Sequence, residues 1–554
     1  MRSRAAVVVA VFGGAMVLGG ALIQRPPAFG AFAFPSGATL SGSPSAGSRL
    51  FQEVLARVGR DYVDTISADL LYQKAVDGLM RELHDPHSVF LNADRLGRLT
   101  ESTTGNYAGL GIQIDVRDGW ITVITPLANT PAQRAGIETG DRIVEIEGKS
   151  THGWTGDEAL KALRGKPGDE VSFAVERPGV EGRMPFKLRR QVIHSSAVRR
   201  SALLQNGVGY VDVKAFSEST AREMQRAIDS LSRQGMKSLI FDLRDNPGGL
   251  LDQGVSVSDL FLDAGQPIVS MRGRTRDATR EFLDEGKQRW PDLPIVVLVN
   301  DGSASASEIV AGALQDHDRA VLVGTTTYGK GSAQSVFRMP GGGALKLTTA
   351  RWYTPSGRSI NRLPKVEADG DADDAAAEGD SAGSAPLSQR QRFKTDAGRT
   401  VLGGGAITPD VLIPDQPASE ADLAFQRALG QAFPKFRDAL TEYAVSLRVA
   451  RSVSSPDFAV TPAMREALWQ RMTKRGIAMN RAVYDSSAGL VDRLLGREIA
   501  RYALGGEAEF RRAVRDDRAV QAALELLSGA AGRSDLLARA ARHEASAADS
   551  ATKK

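Results

Sequence analysis

The middle of the chain alternates between short apolar runs of strand type and stretches with the apolar spacing of a helix. Val208–Val213 and Ser238–Leu243 have the pattern of strands, and the amphipathic segment 219–233 between them has that of a helix. A strand, a helix and a second strand in this order predict a parallel βαβ unit. Ile295–Val299 predicts a fully buried strand, and the apolar spacing from 306 to about 316 predicts a short helix. These elements indicate an α/β core.

Both ends of the chain carry helical patterns. Residues 48 to about 103 predict helices. One apolar stripe in this segment is formed by Leu50, Phe51, Val54, Leu55 and Val58. Residues 416–554 are rich in Ala, Arg and Leu and predict helices throughout. One apolar face in this region is formed by Val491, Leu494, Leu495, Ile499 and Tyr502. The expected fold class is therefore multidomain α/β with a helical segment at each end.

The start of the chain joins a basic end to an apolar run. MRSR precedes nineteen residues without a charge, and Ala31-Phe-Ala33 could precede a cleavage site. The run is also long enough to span a bilayer. Residues 1–33 therefore predict either a cleaved signal peptide or a retained membrane anchor, and both predict export. Residues 34–47 are rich in Gly, Ser and Pro, which predicts a flexible linker.

Composition excludes several classes of function. The chain has 70 basic and 66 acidic residues, and a net charge of +4 does not predict a nucleic-acid partner. The lack of cysteine excludes disulfides, thiolate catalysis and a lipoprotein anchor. Six histidines are scattered without a His-Glu-x-x-His pattern, so no metal site is expected. A length of 554 residues predicts three or four domains.

Ser305 follows a run of small residues and precedes the predicted helix at 306. Glu308 lies three residues later, and Ser-x-x-Glu before an apolar run is the pattern of a capping box. The same position also suits a nucleophile, because the free N–H groups at a helix N-terminus stabilise a developing negative charge. The local pattern leaves both interpretations open.

Lys330 lies between Gly329 and Gly331, so no neighbouring side chain crowds it. Gln334 follows four residues later, and positions i and i+4 project from the same face of a strand or a helix. A lysine that is removed from water has a lowered pKa and can accept the proton of a serine hydroxyl. An ordinary solvated lysine is the alternative.

The segments SASASEIVAGALQD and GTTTYGKGSAQSVF resemble the catalytic core of the C-terminal processing peptidases, or tail-specific proteases, of serine peptidase family S41. The resemblance includes the spacing of twenty-five residues between Ser305 and Lys330. It implies that Ser305 is the nucleophile, that Lys330 is the general base and that Gln334 is the third catalytic residue.

Residues 104–192 resemble a PDZ domain. YAGLGI at 107–112 is followed by PAQRAG and GDRIVEIEG in the order usual for that fold. The resemblance implies a carboxylate-binding loop whose backbone N–H groups capture the C-terminus of a peptide that adds as a strand. That loop is formed by Gly109, Leu110, Gly111 and Ile112. Arg164 is a candidate contact for gating the protease site, and a solvated arginine in a turn is the alternative.

The segment RDNPGGLL directly follows the strand that ends at Leu243. Its glycines allow the backbone to bring N–H groups close to a bound carbonyl, although a simple turn before a helix has the same pattern. The resemblance places one half of the oxyanion hole here, with Gly249 favoured over Gly248. The N–H of Ala306 is expected to supply the other half.

Three other residues with ionisable side chains are not expected to be catalytic. His87 lies in a DPHS segment that resembles one in the same peptidases without a catalytic role, and a helix-capping turn is expected there. Asp316 and His317 lie at the far end of the helix that begins after Ser305, about 16 Å away at helical rise.

Residues 366–388 form an acidic insertion with almost no apolar residue, which predicts disorder.

The resemblance and the pattern together give an expected domain order. It comprises a signal peptide or anchor at 1–33, a linker at 34–47, a helical segment at 48–103, a PDZ domain at 104–192, a ClpP/crotonase-like α/β serine-protease core at 193–415 and a helical region at 416–554.

The expected function is a serine endopeptidase that cleaves exported proteins whose tails bind the PDZ domain, through an acyl-enzyme and without a cofactor. An inactive PDZ scaffold and an acyl-transfer or hydratase enzyme are the alternatives. The three catalytic side chains argue against the first, and the PDZ segment and Lys330 argue against the second. The expected substrates are unfolded or C-terminally exposed proteins, and the family leaves room for an activating lipoprotein adaptor and a homodimer. The expected location is the bacterial periplasm or cell envelope, with any anchor in the inner membrane.

Overall fold

The computed structural model describes residues 46–362, 389–414 and 417–552. The chain divides into two units between residues 82 and 83. The expected signal or anchor at 1–33, nearly all of the linker and the insertion at 366–388 lie outside the described residues. In the part of the chain that the structure describes, no helix has both the length and the apolar composition needed to cross a membrane.

The first unit contains two helices, α1 (Ala46–Asp61) and α2 (Ala68–Arg81). Helix α2 begins after Ser67, whose hydroxyl accepts a hydrogen bond from the N–H of Leu70. The helices agree with the sequence pattern, but of the apolar stripe of α1 only Leu55 is buried. Leu50, Phe51 and Val54 are exposed.

The second unit begins with a feature that the helical pattern of residues 48–103 did not predict. A short strand, β1 (Val89–Leu91), precedes helix α3 (Ala93–Thr104). Strand β1 pairs with a strand more than 250 residues later in the chain. A three-residue strand is too short to show an alternating pattern in the sequence, and its partner is too distant to be suggested by it.

A β-rich domain follows α3, as expected for a PDZ domain. A two-stranded ribbon, β2 (Asn106–Gly109) with β9 (Gln191–His194), closes its base. Its strands are β3 (Ile112–Arg117), β4 (Trp120–Pro126), β5 (Arg142–Ile146), β6 (Lys149–Ser150), β7 (Glu170–Glu176) and β8 (Arg183–Arg189). They form an antiparallel sheet in the order β3-β4-β5-β7-β8, with β6 paired to β5. Helices α4 (Pro131–Arg134) and α5 (Gly156–Leu163) complete the domain.

The second sheet of the unit is the predicted α/β core. Its strands are β10 (Val198–Leu203), β11 (Val208–Val213), β12 (Ser238–Asp242), β15 (Ile295–Val299), β16 (Val321–Gly324) and β21 (Val411–Leu412). They pair in that order, and every pairing after β10–β11 is parallel, so the predicted βαβ unit is confirmed. The helices α6 (Thr220–Arg233), α7 (Leu251–Asp259) and α8 (Ala306–Asp316) contribute to its apolar core.

A third sheet lies beside this core. It contains β13 (Pro267–Gly273), β14 (Arg280–Leu283), β17 (Ser332–Arg338) and β18 (Ala344–Tyr353) together with β1. Strand β18 pairs with β1, with β13 and with β17, always antiparallel. A small hairpin of β19 (Arg392–Lys394) and β20 (Thr400–Leu402) follows.

The C-terminal region is helical, as predicted. Its helices are α9 (Glu420–Leu429), α10 (Phe433–Val449), α11 (Pro462–Lys474), α12 (Arg481–Ser486), α13 (Ala488–Ile499), α14 (Gly506–Asp516), α15 (Arg518–Leu527) and α16 (Arg533–Thr552). A π-helical turn at Ala500–Leu504 joins α13 to α14. The predicted apolar face of α13 is confirmed, because Val491, Leu495 and Ile499 are fully buried.

This helical region packs on both of its neighbours. Apolar residues of α15, among them Val520 and Leu524, join Ile240 and Val296 of the parallel sheet in one cluster. On the PDZ side, three arginines contact acidic residues of the β3–β5 part of the sheet. The C-terminal arginines are Arg437, Arg448 and Arg475, and their partners are Asp115, Glu138 and Asp118 respectively. The region therefore bridges the PDZ domain and the α/β core.

Candidate active site

Ser305 lies between the end of β15 and the start of α8, where the chain turns sharply. Its φ and ψ angles are 57° and −115°, a combination that a residue with a Cβ rarely adopts. An ordinary N-cap residue is in the extended region instead. The Ser305 hydroxyl lies where a capping-box hydroxyl would, but it forms no side-chain cap hydrogen bond. Such strain costs about 1–3 kcal/mol and is typical of functional positions.

Glu308 joins the serine segment to the lysine segment. Its fully buried carboxylate accepts hydrogen bonds from the N–H of Ser305 (2.9 Å) and from the N–H of Lys330 (2.9 Å). It also accepts from the N–H of Gly329 (2.7 Å) and the hydroxyl of Thr327 (2.6 Å). Burial raises the pKa of Glu308, and these hydrogen bonds oppose that rise. The sequence showed Glu308 only as a capping partner, and its link to residues 327–330 was missed.

Lys330 lies just before β17 and is largely removed from water. Burial and, to a smaller extent, the like charge of Lys346 lower the pKa of Lys330 to about 8. The carboxylates of Glu308 and Asp85 act in the opposite direction. An amine with this pKa is in the free form in roughly a tenth of molecules at pH 7, and the free form is the one that a general base requires.

Gln334 lies in β17 at an irregularity that the sequence did not reveal. The register with β18 shifts between Ala333 and Gln334, and Gln334 is paired with Thr348. Its side-chain N–H donates to the hydroxyls of Ser332 (3.1 Å) and Thr348 (3.3 Å). Lys330 precedes the strand, so the argument that both side chains share one face of a regular element does not hold. In the described residues no hydrogen bond joins the two side chains.

The loop after β12 brings one candidate oxyanion glycine, Gly248, against Ser305 and the other, Gly249, against Phe216. A Cβ on Gly248 would lie 2.8 Å from the Cβ of Ser305, and a Cβ on Gly249 would lie 2.2 Å from the carbonyl oxygen of Phe216. The N–H of Gly248 donates to the side chain of Asn246 (2.9 Å) and is therefore occupied. Among the described residues, the N–H groups of Gly249 and Ala306 have no such partner. This difference supports the preference for Gly249.

Asn246 holds this loop against the segment that carries Ser305. Its carbonyl oxygen accepts from the N–H of Ala304 (3.0 Å) and from the hydroxyl of Ser307 (2.8 Å). Its side-chain N–H donates to the carbonyl of Val213 at the end of β11 (2.7 Å). The ends of neighbouring parallel strands thus fix both halves of the candidate oxyanion hole.

The DPHS segment lies at this site, which the sequence did not predict. Asp85 accepts hydrogen bonds from the N–H of His87 (3.0 Å) and the hydroxyl of Ser88 (2.6 Å). The expected helix-capping role is wrong, because β1 and not a helix follows this turn. The Ser88 oxygen accepts from the N–H of Thr348 (3.0 Å). Burial and, to a smaller extent, the charge of Lys330 lower the pKa of His87.

Asp316 and His317 lie at the other end of α8 and have structural contacts. The buried carboxylate of Asp316 pairs with Arg358 (2.6 Å) and accepts from the N–H of Ser356 (3.0 Å). His317 contacts the carboxylate of Asp396 (2.7 Å) through one ring nitrogen and the carbonyl of Pro267 (2.7 Å) through the other.

The PDZ loop lies at an open edge of its sheet. Gly109 ends β2, Ile112 begins β3, and β3 is an edge strand with α5 packed beside it. Leu110 is buried, and Gly111 has a φ of 75° with Thr130 so close that a Cβ would clash at 2.4 Å. Loop and strand therefore have the arrangement that accepts a peptide as an added strand.

Arg164 lies at the C-terminal end of α5, and its side chain has protein contacts as well as contact with solvent. Its guanidinium donates to Glu101 of α3 (2.7 Å) and lies 5.1 Å from the centre of the Tyr107 ring. It thus connects the peptide-binding side of the PDZ domain to the helix that precedes β2. For metal binding, the described residues contain no group of three or more His, Asp or Glu side chains that could hold an ion.

Comparison with known proteins agrees with these features. The model of peptidase family S41 matches residues 207–371, and that of a PDZ domain matches residues 122–177. The carboxy-terminal-processing protease of Bartonella bacilliformis is 40% identical over 56% of this chain and 72% of its own length. The carboxy-terminal processing protease CtpA of Bacillus subtilis is 36% identical over 59% of this chain and 71% of its own length.

Among solved structures, a photosystem II D1 C-terminal processing protease has 30% identity over 56% of this chain and 90% of that chain. Its TM-score of 0.32 is too low to support a structural argument. The sequence relatives alone are sufficient to show the family of this chain. The chain belongs to peptidase family S41 and is a serine protease of the carboxy-terminal processing type with a PDZ domain.

Proposed function

We propose that this protease cleaves proteins with an exposed or unfolded C-terminal tail, with Ser305 as nucleophile and Lys330 as general base. One observation carries the proposal. The buried Glu308 carboxylate binds the backbone N–H groups of both residues, and Lys330, tied to Ser305 in this way, has a pKa of about 8. An exposed lysine with its ordinary pKa near 10.4 would be almost fully protonated at neutral pH.

The reaction follows from these positions. The free amine of Lys330 takes the hydroxyl proton of Ser305 as its oxygen attacks the scissile carbonyl. The N–H groups of Gly249 and Ala306 donate to the oxyanion that forms. The Lys330 ammonium then gives its proton to the leaving amine, and an acyl-enzyme remains. Water hydrolyses this ester by the same proton transfers in reverse order. The side-chain amide oxygen of Gln334 is suited to orient the lysine.

Substrate selection is assigned to the PDZ domain. The tail adds as a strand beside β3, and its terminal carboxylate is placed at the loop of Leu110 and Gly111. The contact between Arg164 and Glu101 is suited to transmit the binding of a tail in this groove to helix α3. The domain bounds proposed for this division of roles are 104–192 for the PDZ domain and 193–415 for the protease core. Export through residues 1–33 is part of the same proposal.

A cleavage assay tests the proposal. The full chain, Ser305→Ala and Lys330→Ala are each mixed with an unfolded reporter that ends in an apolar free carboxylate, and with the same reporter amidated. We expect cleavage by the unmodified protein alone, weaker on the amidated reporter, and a loss of at least 10³-fold in each variant. Cleavage that survives in Ser305→Ala would exclude Ser305 as the nucleophile. Equal cleavage of both reporters would exclude tail recognition.

A further inference from the structure

The segment 358–362, the crossing segment, lies against the loop that carries the proposed base. A Cβ on Gly329 would lie 2.5 Å from the Cγ of Arg362, and a Cβ on Gly331 would lie 2.8 Å from the backbone nitrogen of Asn361. The glycines on both sides of the lysine therefore allow this close approach. The sequence did not predict it, because a contact between segments far apart in the chain leaves no periodic signal.

Three hydrogen bonds accompany this packing. The guanidinium of Arg362 donates to the carbonyl of Thr327 (2.7 Å), and its backbone N–H donates to the carbonyl of Gly329 (3.0 Å). The side-chain oxygen of Asn361 accepts from the N–H of Gly331 (3.3 Å). The crossing segment therefore binds the backbone of the loop both before and after the lysine.

Glu308 binds the same loop through other groups. Its carboxylate accepts from the N–H groups of Gly329 (2.7 Å) and Lys330 (2.9 Å). The crossing segment binds two carbonyls of the loop and its next N–H. An ionised carboxylate only accepts and a guanidinium only donates, so neither Glu308 nor Arg362 can replace the other. The position of Lys330 thus depends on both.

The crossing segment is itself fixed to the protease core. Ile360 is fully buried in the apolar cluster of the core, and its carbonyl accepts from the N–H of Ala406 (2.7 Å). The buried guanidinium of Arg358 pairs with Asp316 (2.6 Å) at the end of α8, the helix that begins after Ser305. The crossing segment therefore joins the helix of the proposed nucleophile to the loop of the proposed base.

We propose that Asn361 and Arg362 are positioning residues for the proteolytic reaction: they fix the loop of Lys330 so that its amine remains placed for Ser305 and shielded from water. This inference rests on the proposed roles of Ser305 and Lys330. Asn361 and Arg362 bind the backbone of the loop, so they act through Lys330 and need no contact with the substrate. A displacement of about 1 Å is enough to slow a reaction by roughly 10²-fold.

Loss of these bonds has an effect on the pH profile that a general loss of stability does not have. A loosened loop admits water to Lys330, and because burial is what lowers its pKa most, the pKa rises. The fraction of free amine then falls at pH values below that pKa and is unchanged well above it. Partial unfolding would instead slow the reaction equally at every pH. The other ionisable groups that act with Lys330 stay in place: Lys346 of β18, Glu308 of α8, and Asp85 and His87 of the turn before β1.

The test compares Arg362→Met, which keeps an apolar stem without the donors, with Asn361→Leu, which removes the acceptor and changes no charge. Arg338→Met, which removes an exposed cation at the end of β17, is the matched control. The rate at which a fluorophosphonate labels Ser305 is measured from pH 6 to 10 on the full chain. The label reports on the nucleophile without PDZ binding.

We expect an acidic limb at about pH 8 in the unmodified protein and in the control. In both Arg362→Met and Asn361→Leu we expect the limb to rise by roughly 0.5–1 pH unit, hence about 3- to 10-fold slower labelling at pH 7. An unchanged limb in both variants, or an equal loss at every pH, would overturn the inference. A rise in Arg362→Met without one in Asn361→Leu would reflect the lost charge and would also overturn it.

Thermal unfolding checks the fold of each variant, and Arg362→Gln or Asn361→Ala replaces one that does not fold. Ser305→Ala and Lys330→Ala are measured in the same series. Labelling that survives in Ser305→Ala, or a limb that survives in Lys330→Ala, would mean that the proposed catalytic pair is wrong, and the inference would fall with it. If both catalytic variants behave as expected and the limb does not move in the other two, the inference alone is wrong.

Discussion

At the scale of the residue, Glu308 is one side chain that binds the segments of both the proposed nucleophile and the proposed base. Its carboxylate accepts from three backbone N–H groups and one hydroxyl, and all four donors belong to the segments that carry Ser305 and Lys330. A carboxylate can accept this many hydrogen bonds because both of its oxygens have two acceptor positions. The geometry of the proposed catalytic pair therefore depends on a residue that need not touch the substrate.

Replacement of Glu308 by Gln is expected to damage both stability and activity. The amide keeps the volume, but one acceptor oxygen becomes a donor that faces N–H groups, so buried N–H groups lose their acceptor. We expect a loss of about 2–4 kcal/mol in the free energy of unfolding. We also expect roughly 10²-fold slower cleavage because Ser305 and Lys330 are no longer held together. Urea unfolding and the reporter assay measure the two effects. Glu285→Gln, an exposed change, is the control, and unchanged rates in Glu308→Gln would contradict the prediction.

At the scale of the element, the loop between β12 and α7 places two glycines where no other residue fits. Gly249 has a φ of 151°, and a Cβ there would lie 2.2 Å from a backbone carbonyl that cannot move aside. We expect Gly249→Ala to lose on the order of 3 kcal/mol or more of stability, because backbone strain and a steric clash add. Gly265→Ala is the matched control, since Gly265 also has a positive φ but has open space around it. Thermal unfolding of both variants decides the matter. Equal melting temperatures of the two variants would show that a side chain at position 249 does not clash with the backbone.

The elements themselves were largely predictable from the sequence, and their long-range pairing was not. Buried parallel strands such as Ile295–Val299 are continuous apolar runs, and α8 has a clear helical period, so both were predicted close to their observed bounds. The bulge at Gln334 and the three-residue strand β1 leave no periodic signal. The pairing of Val89 with Lys346 therefore could not be predicted, and with it the approach of Asp85 and His87 to Lys330 was missed.

At the scale of the whole molecule, three connections tie the PDZ domain to the rest of its unit. The β2–β9 ribbon continues directly into the core, Arg164 reaches Glu101 of α3, and three C-terminal arginines pair with acidic residues of the PDZ domain. The C-terminal region also contacts the loop that carries the candidate oxyanion glycines, because Arg244 pairs with both Asp242 and Asp517 (2.6 and 2.8 Å). The PDZ domain and the loop that carries the candidate oxyanion glycines thus both contact the C-terminal helical region.

The strength of that support can be measured through the C-terminal arginines. The variant Arg437→Gln/Arg448→Gln/Arg475→Gln removes three partly exposed ion pairs to the PDZ domain, each worth no more than about 1 kcal/mol alone. It also removes the pair of Arg475 with Glu442 inside the helical region. We expect faster hydrogen exchange in the PDZ segment 115–142 with unchanged exchange in the parallel sheet, because these pairs hold the PDZ domain and not the core. Concentrated salt should produce part of the same change in the unmodified protein. Arg481→Gln, whose pairs lie within the helical region, is the control. Unchanged hydrogen exchange in the triple variant would mean that apolar contacts alone hold the PDZ domain on the helical region. Salt would then not weaken the attachment of the PDZ domain to these helices.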